Sequence, residues 1–171
     1  TGLGKAMAQR FLALGADVPF FLRGRNAWVE GIGERITPVA LPRHRFLVVK
    51  PPVGLDTGAV FRHPDVQRGT EPAILTGFAA NPLQFGRNDL QFVARQLCPQ
   101  VGQALDWLAS QGLAGRMTGS GSAVFAPLPP DRRAGQVPVE WDDTWLVREC
   151  GNMEVHPLVG WTPSDESSVD R

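Results

Sequence analysis

The stretch ALDWLASQGLAGRMTGSGSAVFA, Ala104–Ala126, decides the fold class. Leu105 and Leu108 continue an apolar stripe that begins at Leu90 and passes through Val93, Leu97 and Val101, the spacing of an amphipathic helix. Pro99 divides that stripe. Proline disfavours helix in the residue before it and suits a first turn, so two consecutive helices are predicted. Gly112 ends the second. Arg116 to Thr118 and Ser122 to Ala126 then flank the turn Gly119-Ser120-Gly121. Helices that run into antiparallel strands predict an α+β arrangement.

Working outward, Trp145 to Arg148 reads as a further strand, and Phe46 to Val49 as a continuous apolar strand of the kind buried on both faces. Asp56 or Thr57 can cap a short helix containing Val60 and Phe61. Residues 64–87 are rich in Pro, Gly, Thr and Asn and read as loop. Residues 127–140 are rich in Pro and Arg and carry no period. Nearer the start, Leu3, Met7, Phe11 and Leu14 predict an amphipathic helix over 3–14 that Gly15 would close. A short apolar segment follows at 18–22. Ala27 to Glu30 and Arg35 to Val39 read as strands joined through Gly31-Ile32-Gly33, a hairpin signal. The tail beyond Trp161 is polar and is expected to fray.

Bulk properties narrow the function. The chain has 171 residues, 17 basic and 17 acidic, so no electrostatic case exists for nucleic acid or an anionic membrane surface. No apolar run approaches the ~20 residues of a membrane span. Cys98 and Cys150 show no metal or redox spacing, and a reduced, cytoplasmic setting is expected. His44, His63 and His156 are scattered, so no structural metal is predicted. The first residue is Thr1 and the first segment already reads as helix, as though the chain begins inside a domain.

Four features could carry chemistry. In LGADVPFFL, Leu14–Leu22, Asp17 stands beside an apolar run, where an unpaired charge is expensive. It is a helix cap, a paired buried ion or a catalytic carboxylate. In RMTGSGSAVF, Arg116–Phe125, the two glycines let backbone N–H groups converge on an anion, and Thr118, Ser120 and Ser122 add hydroxyls. A plain hairpin turn explains the same residues. Phe61 could stack a nucleobase or fill the core. Asn88 and Asp89 precede a strong helix and read as caps. Gly2-Leu3-Gly4-Lys5 is not a P-loop, because the first glycine is missing and Ala6 follows the lysine.

Taken in order, LGADVPFFLRGRNAWVEGIGERITPV, FLVVKPPVGLDTGAVF, NDL, ALDWLASQGLAGRMTGSGSAVFA and NMEVHPL resemble the GHMP small-molecule kinases. Within that family they are similar to the branch acting on 4-diphosphocytidyl-2-C-methyl-D-erythritol in the non-mevalonate route to isoprenoids. The likeness runs from about Leu12 to Trp161. It implies an ATP-dependent, Mg2+-assisted kinase that phosphorylates the 2-hydroxyl of the methylerythritol moiety of this cytidine-diphosphate-linked substrate. Asp17 falls on the family's catalytic aspartate, which orients and deprotonates the hydroxyl. Thr118, Gly119, Ser120, Gly121 and Ser122 fall on a motif beside the phosphates. Thr57 and Phe61 fall on a T-x-x-x-F segment that helps to hold the cytosine.

The resemblance also implies boundaries. Residues 1–44 would be the end of an N-terminal ATP-binding kinase domain, 45–161 a complete ferredoxin-like C-terminal α/β domain, and 162–171 a polar tail. The family's main phosphate loop, of the form P-x-x-x-G-L-G-S-S, and its N-terminal lysine are not in this sequence. A chain with the base but without that cradle is expected to turn over negligibly. Two other readings stay open: a non-catalytic fragment or degenerate paralogue acting as a binding domain, and a GHMP kinase for another small alcohol.

Overall fold

The computed structural model describes residues 14–157 and Val159. Most of the expected 3–14 helix and the polar tail lie outside them. The chain divides into two compact units, one running to Pro42 and taking up again at Met153, the other Arg43–Asn152.

The first unit is built on helix α1 (Val18–Arg23) and a hairpin of β1 (Ala27–Glu30) and β2 (Arg35–Pro38). The apolar segment is thus a helical turn and a half. Pro19 sits in its first turn, where a missing N–H costs nothing, and Gly24 ends it at φ 59°, donating to the Phe20 carbonyl at 3.2 Å. The strands pair antiparallel from Ala27–Pro38 to Glu30–Arg35. The segment from Met153 belongs here because Val155 bridges Arg25 and the His156 N–H donates to the Gly24 carbonyl at 2.7 Å.

The second unit runs β3 (Arg45–Lys50), α2 (Thr57–Arg62), α3 (Leu75–Ala80), α4 (Gln91–Leu97), α5 (Pro99–Ser110), β4 (Arg116–Met117), β5 (Val124–Leu128) and β6 (Leu146–Gly151). Its sheet has the order β4-β5-β3-β6, every pair antiparallel. The α+β expectation holds, and the helices break at Pro99 as predicted. Leu47, Val49, Val124 and Ala126 from the sheet meet Ala94, Val101, Ala104, Leu105 and Leu108 from α4 and α5.

Two expectations are corrected. β3 is not buried on both faces. Leu47 and Val49 are fully buried, while Phe46 and Val48 are half-buried on the other face, where Phe46 meets the Phe125 ring at 5.9 Å. An antiparallel sheet needs helices on one face only. Residues 64–87 are not all loop, because α3 lies among them. Six residues are too few to show a helical period, and an edge-on contact of Phe78 with Phe85 at 6.0 Å supplies tertiary support.

The unpatterned 127–140 segment is ordered by side chains. The Arg45 guanidinium donates to the carbonyls of Pro130 and Arg132, each at 3.1 Å, and pairs with Glu149. Glu149 in turn accepts the Ala134 N–H at 2.8 Å and takes Arg133 at 3.3 Å. The Ala134 amide and then Arg45 hold the Glu149 carboxyl below its ordinary value of 4.5. A carboxyl depressed on folding stabilises fully above its unfolded value, and the contribution fades as pH falls through the folded one. Acidification below about pH 4.5 is therefore expected to release this segment before the core. Tryptophan fluorescence should show that early phase, and Glu149→Gln should remove it. An unchanged acid profile in the variant would mean that Glu149 does not anchor the segment.

Candidate active site

In the first unit, Asp17 precedes α1. It is exposed and its side chain makes no capping hydrogen bond. The reason is local. A capping residue needs extended backbone to swing its oxygen over the first N–H groups, whereas Asp17 is helical at φ −85°, ψ −14°. Its carbonyl accepts the Phe21 N–H at 3.1 Å, so the backbone belongs to the helix while the carboxylate faces out. The capping alternative is corrected, and so is that of a buried ion pair.

In the second unit, two candidate segments come together. Asp56 caps α2 by accepting the Ala59 N–H at 2.5 Å. That fixes Thr57, whose hydroxyl lies 2.8 Å from the Ser120 hydroxyl. The T-x-x-x-F helix and the Gly-Ser-Gly turn are thereby joined directly. Phe61, one turn on, is 55% exposed, while its neighbour Val60 is fully buried. The core reading of Phe61 is overturned, because α2 turns Val60 inward and leaves the phenyl ring in solvent.

The turn between β4 and β5 needs its glycines. Gly119 has φ 55° and Gly121 has φ 90°. A Cβ at Gly121 would lie 2.7 Å from the Met117 sulfur and 2.9 Å from a Leu55 methyl, while one at Gly119 would meet open space. The Gly121 N–H donates to the Thr118 carbonyl at 3.1 Å, closing the turn. Ser122 departs from the hydroxyl cluster. It is 3% exposed and donates to the Val53 carbonyl at 2.5 Å, so its hydroxyl is committed to the fold. Thr118, exposed, and Ser120, half-buried, keep theirs near the surface.

Asn88 does more than cap. Its Oδ1 accepts the Leu90 N–H at 3.0 Å, and its Nδ2 donates to the carbonyls of Met117 and Gly119 at 2.9 and 2.8 Å. It ties the start of α4 to the turn. The cap-like position alone could not reveal the second role, since those carbonyls lie 29 and 31 residues away. Asp89 accepts instead from the Thr70 hydroxyl at 2.9 Å and Arg87 at 2.7 Å.

A cavity of about 730 Å³ opens beside Asn88, Gln91 and Arg116. Its most buried cation is already engaged: Arg116 donates to the carbonyls of Phe85, Gly86 and Leu83. Burial pushes the Arg116 pKa down. Among the described residues, no group of three or more His, Cys, Asp or Glu could hold a metal ion. No described helix is long and apolar enough to cross a membrane.

Residues 72–145 match the family described as GHMP kinases C terminal. A 4-diphosphocytidyl-2-C-methyl-D-erythritol kinase of Polaromonas sp. is 60% identical over 154 residues, 88% of this chain and 50% of the relative. The enzyme of the same name from Albidiferax ferrireducens is 60% identical over 158 residues, 92% of this chain and 54% of the relative. The chain thus spans about half the length of the curated relatives it matches. A crystal structure of 4-(cytidine 5'-diphospho)-2C-methyl-D-erythritol kinase aligns with a TM-score of 0.55 at 37% identity, over 67% of this chain and 45% of that one.

Proposed function

We propose that the chain, similar over most of its length to GHMP kinases, serves ATP-dependent phosphorylation of the 2-hydroxyl of 4-diphosphocytidyl-2-C-methyl-D-erythritol, in the cytoplasm. The observation that carries this reading is identity of 60% to kinases of that name over nearly the whole chain.

Asp17 acts as the base. Its exposed carboxylate is free of any capping bond, as a group that must receive a proton requires. The Gly119–Gly121 turn supports the phosphate region, with Thr118 and Ser120 as nearby hydroxyls. Phe61 presents an exposed ring to the cytosine, and Thr57, held by Ser120, sits one helical turn before it. Magnesium, when bound with ATP, neutralises developing phosphate charge. The described residues form no dedicated cluster for it.

The test is a hybrid in which this chain replaces the matched segment of the Polaromonas relative. The hybrid is expected to convert ATP and the cytidine-linked alcohol to ADP and phosphorylated product. Phe61→Ala should weaken cytidine-nucleotide binding about 5- to 150-fold, the loss of one base–aromatic stack. A hybrid that folds yet transfers no phosphate refutes the proposal. Activity with another alcohol but not with this one would reassign the substrate, and unchanged cytidine affinity in Phe61→Ala would remove the stacking role.

A further inference from the structure

We infer that Gly33, in the hairpin turn between β1 and β2, is a positioning residue that holds the Ala16–Asp17 backbone in place. The inference rests on the assignment of Asp17 as the base.

Gly33 is buried and its φ is 106°, a conformation that L side chains rarely adopt. A Cβ built on it would lie 2.1 Å from the Ala16 carbonyl oxygen and 3.0 Å from the carbonyl carbon. Backbone therefore packs directly on backbone, one residue before Asp17. No side-chain rotation could relieve a substitution there. The turn presenting Gly33 is itself fastened. The Glu34 carboxylate accepts the Ile32 N–H at 2.7 Å, and the Gly33 N–H donates to the Glu30 carbonyl at 3.3 Å. At the other end of α1, the Arg23 guanidinium donates to the Ile36 carbonyl of β2 at 3.3 Å. The helix that follows Asp17 is thus held at both ends by one hairpin.

Gly31 is a built-in control. It lies in the same turn, has a positive φ of 70°, and the nearest atoms to a Cβ there belong to the Glu34 carboxylate that fastens the turn, with Oε1 at 2.1 Å, not to Ala16. Substitution at 31 strains the turn and crowds Glu34, so it reaches Ala16 only indirectly, through the turn.

Two measurements test the inference. In the chain itself, Gly33→Ala should speed amide hydrogen exchange about tenfold at Val18, whose N–H donates to the Gly15 carbonyl at 3.2 Å, and at Phe21, which donates to Asp17 at 3.1 Å. Gly31→Ala, which acts only through the turn, should raise both rates less. In the hybrid kinase, Gly33→Ala should lower kcat about 10- to 100-fold with KM for the cytidine substrate little changed, because a base displaced by about an ångström loses rate rather than affinity. Unchanged exchange at Val18 and Phe21 in Gly33→Ala overturns the inference, as does equal loss of kcat in the two glycine variants. If Asp17→Asn itself keeps full activity, the assignment of the base has failed instead, and the exchange result still decides whether Gly33 holds the backbone.

Discussion

Asp17→Asn in the hybrid kinase is expected to lower kcat by about 10²–10⁴ while cytidine-nucleotide affinity stays constant. Asparagine keeps the size and most of the hydrogen-bonding capacity of aspartate but cannot take up a proton. The substitution should be almost silent for folding. The carboxylate is exposed, makes no capping bond, and the Asp17 carbonyl that opens α1 is unaltered. This separates a chemical role from a structural one more cleanly than is usual at a helix N-terminus, where removing a cap typically costs about 1 kcal/mol. The check is the initial rate of ADP formation beside a melting curve. A variant within about threefold of wild type in kcat would show that phosphoryl transfer proceeds without this base. A variant that loses stability and rate together would return Asp17 to a structural role.

What could be read from the sequence divides along physical lines. The paired helices, their break at Pro99 and the strands around Gly119-Ser120-Gly121 were legible because each is written in local spacing and turn chemistry. The Asp56 cap and the β1–β2 hairpin were legible for the same reason. Two of the misses depend on contacts distant in sequence: Ser122 turns inward to Val53, 69 residues away, and Asn88 reaches Gly119, 31 residues away. Helix α3 leans on the nearby Phe85, a packing contact that no period announces. The exposure of Phe61 was also hidden. Both Val60 and Phe61 are apolar, and only the packing of α2 decides which one enters the core. At Asp17 a cap was one of three open readings, and with helical backbone angles its side chain makes no capping bond.

The 127–140 segment shows how packing can order a stretch without a period, and the α5 residue that holds it, Trp107, carries the largest expected change in stability. Trp107→Ala should lower the unfolding free energy by about 3–5 kcal/mol. Trp107 is 7% exposed within the α5 face of the core, so truncation leaves a large cavity among rigid neighbours. Its indole N–H donates to the Gln136 carbonyl at 3.2 Å, the bond by which α5 grips the segment. Its ring lies 5.4 Å from Trp141, which stacks on Trp145 at 3.9 Å and 3°. Removing Trp107 therefore deletes core volume, a hydrogen bond and the base of an aromatic stack in one step. Trp145→Ala removes only the far end of that stack and should cost less, since an aromatic pair adds about 0.5–1.5 kcal/mol beyond the area it buries. Urea unfolding of the two variants supplies the comparison. A cost for Trp107→Ala below about 1 kcal/mol, or one smaller than that of Trp145→Ala, would show that the segment is held chiefly by Arg45 and Glu149 rather than by the tryptophans.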